Sequence, residues 1–318
     1  NSAYAWVSER ATTAAVFFVP STTVTELRDT YEARRGQTAA LAKGPKIRVL
    51  IVPGHQPSKG GTEFKDLHER DMVVEIANAL ANILAQNPHY EVTVARGKES
   101  WNPIFADYFE KNESDINAFA EHQATLMKKY LANGKMLLTA DQVHHTDAPA
   151  AAVTQLYGIN KWASEHNIDI TLHLHINDYA GRRANRVGEY SGFAVYVPDH
   201  QYSNAGASRK IGEAIAGRLS AFHATSTLPR EDAGVVEDQT LIAIGSNNST
   251  DAAALLVEYG YVYEPQFAQK SVRALALADY AYQTYLGLQD FFADPLEQSY
   301  GSVSFPYDWN HVTFADAE

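Results

Sequence analysis

Four residues of this chain have types and positions suited to hydrolytic chemistry: His55, Glu69, His175 and Glu258. His55 follows an apolar run within three residues, in Pro53-Gly54-His55, and Glu69 stands where a helical pattern begins. His175 lies near the end of His173-Leu174-His175-Ile176-Asn177, and Glu258 closes Leu255-Leu256-Val257-Glu258. Two imidazoles and a carboxylate with a fourth position open describe a catalytic zinc site. A further carboxylate beside them can deprotonate the reacting water. A His or Glu at a strand end also serves as an ordinary structural or solvated residue, so residue types alone leave both readings open.

The elements that must position these residues are legible as runs and periods. Lys46 to Val52 is a β-branched apolar run that reads as a buried strand, and Glu91 to Ala95 as a second. Ile168 to Ile176, Gly192 to Val197, Thr240 to Ile244 and Ala252 to Val257 read as further strands. Apolar residues at helical spacing over Met72 to Leu84 predict an amphipathic helix, and 113–133, 150–165, Ser208 to Phe222 and Gln269 to Phe292 are also helical in character. Thr23-Val24-Thr25-Glu26 is a capping-box pattern. Strands alternating with helices, several apolar throughout, predict an α/β fold: a mostly parallel twisted sheet with helices on both faces. In such sheets function gathers beyond the carboxyl ends of the strands, where all four residues fall.

Composition narrows the classes. The 318 residues are 45% hydrophobic and 20% charged, which is globular. The absence of cysteine excludes disulfides, Cys-ligated metals and a thiol nucleophile. With 26 Lys and Arg against 38 Asp and Glu, the net charge of −12 works against a nucleic-acid partner. No window reaches the roughly 18 apolar residues of a membrane helix. The chain opens at Asn1, and the expectation is that a preceding segment, with any targeting signal, has been removed.

Rival residues have plainer readings. Glu63 competes with Glu69 as the acidic ligand, but it lies in a Gly-rich loop, whereas Glu69 begins a helix that the sheet can hold rigid. His68 reads as a loop residue, and a His-Glu-x-x-His motif is absent because position 72 is Met. His173 and His175 share one strand face, which keeps a two-metal site open beside the simpler reading of His173 as a hydrogen-bonded core histidine. His144-His145 reads as surface, and Asn177 as a turn residue. Arg182, Arg183 and Arg186 make a basic patch after the His175 strand, suited to carboxylates of a substrate.

Taken in order, the segments resemble the zinc-dependent N-acetylmuramoyl-L-alanine amidase family. The carriers are Val49-Leu50-Ile51-Val52-Pro53-Gly54-His55, Gly60-Gly61-Thr62, Glu69-Arg70-Asp71, Val92-Thr93-Val94-Ala95-Arg96, His175-Ile176-Asn177 and Val257-Glu258-Tyr259-Gly260-Tyr261. The resemblance spans roughly residues 46 to 290. It implies His55, Glu69 and His175 as ligands of one Zn2+ per chain and Glu258 as catalytic base. Arg182, Arg183, Arg186 and Asn177 are placed as substrate contacts. The substrate it implies is peptidoglycan or a muropeptide, cut at the amide between N-acetylmuramic acid and L-alanine outside the cytoplasm.

Three features depart from the family. The segment between Arg96 and the His175 strand is long, position 173 is His where a small residue is common, and both termini lie outside the match. The expected organisation is an N-terminal appendage and linker over 1–45, a catalytic domain over 46–293 with a helical insertion at 98–166, and a tail over 294–318. The alternatives are another zinc peptidase or amidohydrolase on the same scaffold, and a non-catalytic muropeptide-binding module.

Overall fold

A computed structural model describes residues 22–34, 44–139, 143, 148–183 and 185–293. The tail over 294–318 and the pair His144-His145 lie outside the described residues. The central sheet has six strands in the order β4-β1-β5-β8-β6-β7. These are β1 (Ile47–Pro53), β4 (Tyr90–Val94), β5 (Ile170–Asn177), β6 (Ala194–Pro198), β7 (Val235–Asp238) and β8 (Ala253–Tyr261). The pairings β1–β4, β1–β5, β5–β8 and β6–β7 are parallel, and β6 runs antiparallel to β8. The sheet is therefore mostly parallel, with one reversal that sets β6 and β7 against the other four strands. A two-stranded hairpin, β2 (Glu63–Phe64) and β3 (Leu67–His68), leads directly into the first sheet helix.

Seven helices appear among the described residues. One sheet face is covered by α1 (Val24–Glu32), α2 (Glu69–Gln86), α5 (Ala205–Leu219) and α7 (Lys270–Phe292), which share a core with Ile47, Val49, Ile51, Leu172, Leu174 and Val257. The opposite face carries α3 (Pro103–Ala132) and α4 (Ala150–Glu165), packed through Phe105, Ile159 and Trp162 on Leu50 and Val52. The short α6 (Pro265–Ala268) links β8 to α7. No helix among the described residues is long and apolar enough to cross a membrane.

Local chemistry sets several boundaries. The Thr23–Glu26 capping box forms, with Oγ1 of Thr23 accepting from the Glu26 amide at 3.2 Å. The helix it opens packs against the body: Leu27 is buried, and Tyr31 stacks on Phe292 at 4.4 Å. Helix α3 starts ten residues earlier than its apolar period suggests, because Asn102 caps the Ile104 amide and Pro103 occupies the first turn. Thr240 to Ile244, expected as a strand, is instead a 3-10 turn at Ile242–Ile244. Asp238 Oδ1 accepts from the amides of Thr240 (2.7 Å) and Leu241 (2.8 Å), which turns the chain at that point. The edge strand lies just before it, as β7.

Candidate metal centre

The apolar residues of β1 drive that strand through the middle of the sheet, so the chain emerges at the carboxyl edge as Gly54-His55. Gly54 must be a glycine, since a Cβ there would lie 2.4 Å from the His175 ring. His55 adopts φ 66°, and the loop returns over it through Gly60 and Gly61, both at φ 83°. A Cβ on Gly61 would sit 3.0 Å from His55 Cδ2 and 3.2 Å from Glu69 Oε2. The loop thus closes tightly on two candidate ligands at once.

Glu69 is the first residue of α2, where the helix N-terminus favours a carboxylate, and it is 3% exposed. Its Oε1 lies 2.9 Å from His55 Nε2 and 3.0 Å from His175 Nδ1, and accepts from the Ile176 amide at 3.1 Å. Its Oε2 accepts from the Thr62 amide at 2.8 Å. Burial opposes the ionised form, but the neighbouring imidazoles of His55 and His175 outweigh it and hold the carboxyl well below the usual range. Burial lowers the proton affinity of His175. Glu63, by contrast, is exposed and tied to Arg70 and His68. Arg96, 1% exposed, welds the site from below, with its guanidinium donating to the carbonyls of Pro53 (3.1 Å), Gly54, Gly97 (2.9 Å) and Arg70 (3.0 Å).

This donor set fits a metal ion. The ligand atoms of His55, Glu69 and His175 lie within 4.8 Å of one another. His55 Nε2 is buried and makes no hydrogen bond, although Glu69 Oε1 is 2.9 Å away. Two imidazoles and one carboxylate with an open side suit zinc. A second group among the described residues, Asp199, His200 and Glu237, differs: Arg209 already occupies Glu237.

Glu258 pairs in register with His175 across β5 and β8. Its Oε2 is buried without a hydrogen-bond partner. Burial, followed by the charges of Glu69, Glu231 and Asp178, raises its proton affinity well above the ordinary carboxylate value. His173 lies deeper on the strand, 1% exposed, and its Nε2 has no partner. Burial and the neighbouring His175 push its pKa down to about 3, so it is neutral.

The residues assigned to substrate are placed unequally. Asn177 is buried and donates to Glu231 at 3.1 Å, so its side chain faces inward. Arg182 is committed within the protein: it grips Asp178 at 2.6 and 2.8 Å and donates to the Glu63 carbonyl at 2.8 Å, with its guanidinium over the Tyr263 ring. Arg183 and Arg186 are exposed. Sequence reasoning missed Glu231, a 1% exposed carboxylate that accepts from Tyr196, Ser226, Asn177 and, at 3.1 Å, Tyr261. Its setting, Pro229-Arg230-Glu231-Asp232, reads as a charged surface loop and carries no local signal.

A sequence profile of the N-acetylmuramoyl-L-alanine amidase family matches residues 106–290, more than half of the chain. The match takes in His175 and Glu258 and begins beyond His55 and Glu69. No curated protein matches the chain by sequence. Among solved structures, it is similar to the N-acetylmuramyl-L-alanine amidase Ami1 of Mycobacterium smegmatis, at 12% identity and TM-score 0.51 over 78% of this chain and 99% of that one. The apo form of Ami1 from Mycobacterium abscessus gives 12% and 0.51 over 78% and 100%. The N-acetylmuramoyl-L-alanine amidase of Clostridium difficile 630 is 17% identical, with TM-score 0.48 over 77% and 96%. At these identities the likeness to the Ami1 structures speaks for the fold.

Proposed function

The chain belongs to the N-acetylmuramoyl-L-alanine amidase family, and from that premise we propose that His55, Glu69 and His175 hold one zinc ion while Glu258 moves the protons as the amide is hydrolysed. The observation that carries this reading is the register of His175 with Glu258, which pairs a carboxylate with an unpartnered oxygen against one of the three candidate ligands.

Zinc bound there would polarise the scissile carbonyl and bring the pKa of a bound water to about 7. Glu258 Oε2 accepts the proton of the attacking water and delivers it to the nitrogen of the departing L-alanine. The amides of Thr62 and Ile176 keep Glu69 oriented toward the two histidines. Arg96 holds the carbonyls of Pro53 and Gly54, so His55 leaves the sheet at a fixed angle. Arg183 and Arg186, exposed on the loop after β5, attract the carboxylates of the stem peptide.

We assign catalysis to residues 46–293, with 98–166 walling the cleft through α3 and α4. An enzyme of this family acts on the cell wall, and the working site of this chain is then extracytoplasmic. The test is product analysis on purified peptidoglycan with zinc-loaded protein. Release of intact stem peptides with a free L-alanine N-terminus is expected. Cleavage at another amide would give the chain to a different zinc hydrolase, and no cleavage would leave it a binding module.

A further inference from the structure

An open pocket of about 410 Å³ lies between the loop that follows His55 and the turn before α3. Gln56, Ser58 and Lys59 form one wall, and Glu99, Ser100 and Trp101 the other. Both walls are closed turns. Residues Gln56 and Lys59 bridge each other, with the Gln56 amide donating to the Lys59 carbonyl at 3.2 Å. Arg96 and Trp101 bridge likewise, and the Gly97 amide donates to the Ser100 carbonyl at 2.9 Å. Gln56 is tied to Gln155 of α4 at 2.7 Å. Trp101 is half-buried, its ring set edge-on against Phe109 at 5.0 Å. The Lys59 and Glu99 side chains and the Trp101 indole N–H carry no hydrogen bond or ion pair among the described residues.

The pocket wall runs on from Lys59 into Gly60, which packs on the His55 ring, and the pocket and the basic loop belong to opposite sheet faces. Trp101 packs with the α3–α4 core, whereas Phe64 and Tyr179, beside the Arg182 loop, pack with the α2 core. The substrate of the proposed reaction has two unlike halves joined at the scissile amide, an anionic peptide and a sugar ring. Exposed Arg183 and Arg186 suit the peptide. The pocket has one charge of each sign, so it offers no net attraction to a polyanion. Its indole face suits the C–H face of a pyranose, and the hydroxyls and amide at its rim suit sugar oxygens.

We propose that this pocket is the glycan subsite, with Trp101 as the platform for a pyranose ring of the strand on the acyl side of the cleaved bond. The assignment rests on the amidase reading, and its test separates the two. The first measurement is direct binding. N-acetylglucosaminyl-N-acetylmuramic acid is titrated into zinc-loaded protein while the indole N–H resonance of Trp101, assigned with Trp101→Phe, is followed. A saturable shift is expected whether or not the protein turns over, and no shift overturns the proposal.

The second measurement compares kcat/KM for a disaccharide-linked stem peptide with that for the same peptide acylated by D-lactate alone. Wild-type protein favours the first, and Trp101→Ala lowers that preference on the order of tenfold, while Trp101→Phe retains most of it. Equal losses on both substrates would place the peptide in the pocket and overturn the glycan assignment. Failure of every form to cleave either substrate would sink the amidase reading and leave the binding titration to decide the pocket.

Discussion

His175 and Glu258 stand directly opposite each other across the parallel pairing of β5 and β8. Partners in register on neighbouring strands project to the same face of a sheet. The proposed ligand and the proposed base are thereby held side by side by two strands that are buried almost along their whole length. Neither residue depends on a loop for its position. The third component, Glu69, comes from a helix packed on the other face and reaches the carboxyl edge through its first turn.

Replacing Glu258 by Gln is expected to leave the metal in place and remove turnover. Glutamine keeps the shape but cannot accept the proton of water, so kcat should fall by about 10²-fold or more. Metal stoichiometry after dialysis and kcat on a muropeptide check this together. Near-normal turnover would remove Glu258 from the mechanism.

Gly54→Ala and His175→Ala should both lose metal, for different reasons. The second deletes a ligand. The first drives a methyl group to 2.4 Å from the His175 ring, and that ring is confined by Glu69 and the strand. Overpacking of this kind costs about 1–3 kcal/mol, so Gly54→Ala should also lower Tm in metal-free protein. Full zinc stoichiometry in Gly54→Ala would show that His175 is free to move.

The pH profile carries a sign. Glu258 must be ionised to accept a proton, and burial together with Glu69, Glu231 and Asp178 raises its proton affinity. Activity is therefore lost as pH falls through a value above that of an ordinary carboxylate. Glu231→Gln removes one of the facing negative charges, so the acid limb of kcat/KM should move to lower pH. A limb that stays fixed or moves upward would show that Glu231 does not act on Glu258 electrostatically.

Arg182 and its neighbours should separate by readout. Arg182→Ala removes the bidentate contact to Asp178, which keeps only Thr62 Oγ1 and the Tyr179 amide, and is expected to cost about 1.5–3 kcal/mol of stability, seen as a lower denaturant midpoint. Arg183→Ala with Arg186→Ala should leave that midpoint near wild type, because both side chains are exposed, and should raise KM for stem peptides with free carboxylates. A substrate with amidated carboxylates should show little change. The same KM increase on both substrates would rule out a carboxylate-binding role.

Much of this arrangement is written locally. The apolar runs of β1, β5 and β8 mark central strands because β-branched and aliphatic residues predominate in strands covered on both faces. The rule that chemistry gathers at their carboxyl ends then singles out His55, His175 and Glu258 from one chain of residues. The Thr23–Glu26 cap and the α2 period are equally local, since both depend on contacts within a few residues.

What the sequence did not determine depends on distant partners. Ile242–Ile244 has strand composition, but Asp238 turns the chain and the sheet needs no further strand there. Arg182 has the composition of a substrate clamp, yet Asp178 and the Glu63 carbonyl take its donors. Glu231 reads as a loop charge until the sheet brings Tyr196, Tyr261 and Asn177 around it from three different strands. Residue types and periods fix which side chains lie at an edge or on a face. The partner each polar group finds once water is excluded is decided only by the tertiary structure, because a buried donor or acceptor must be satisfied by whatever the fold places beside it.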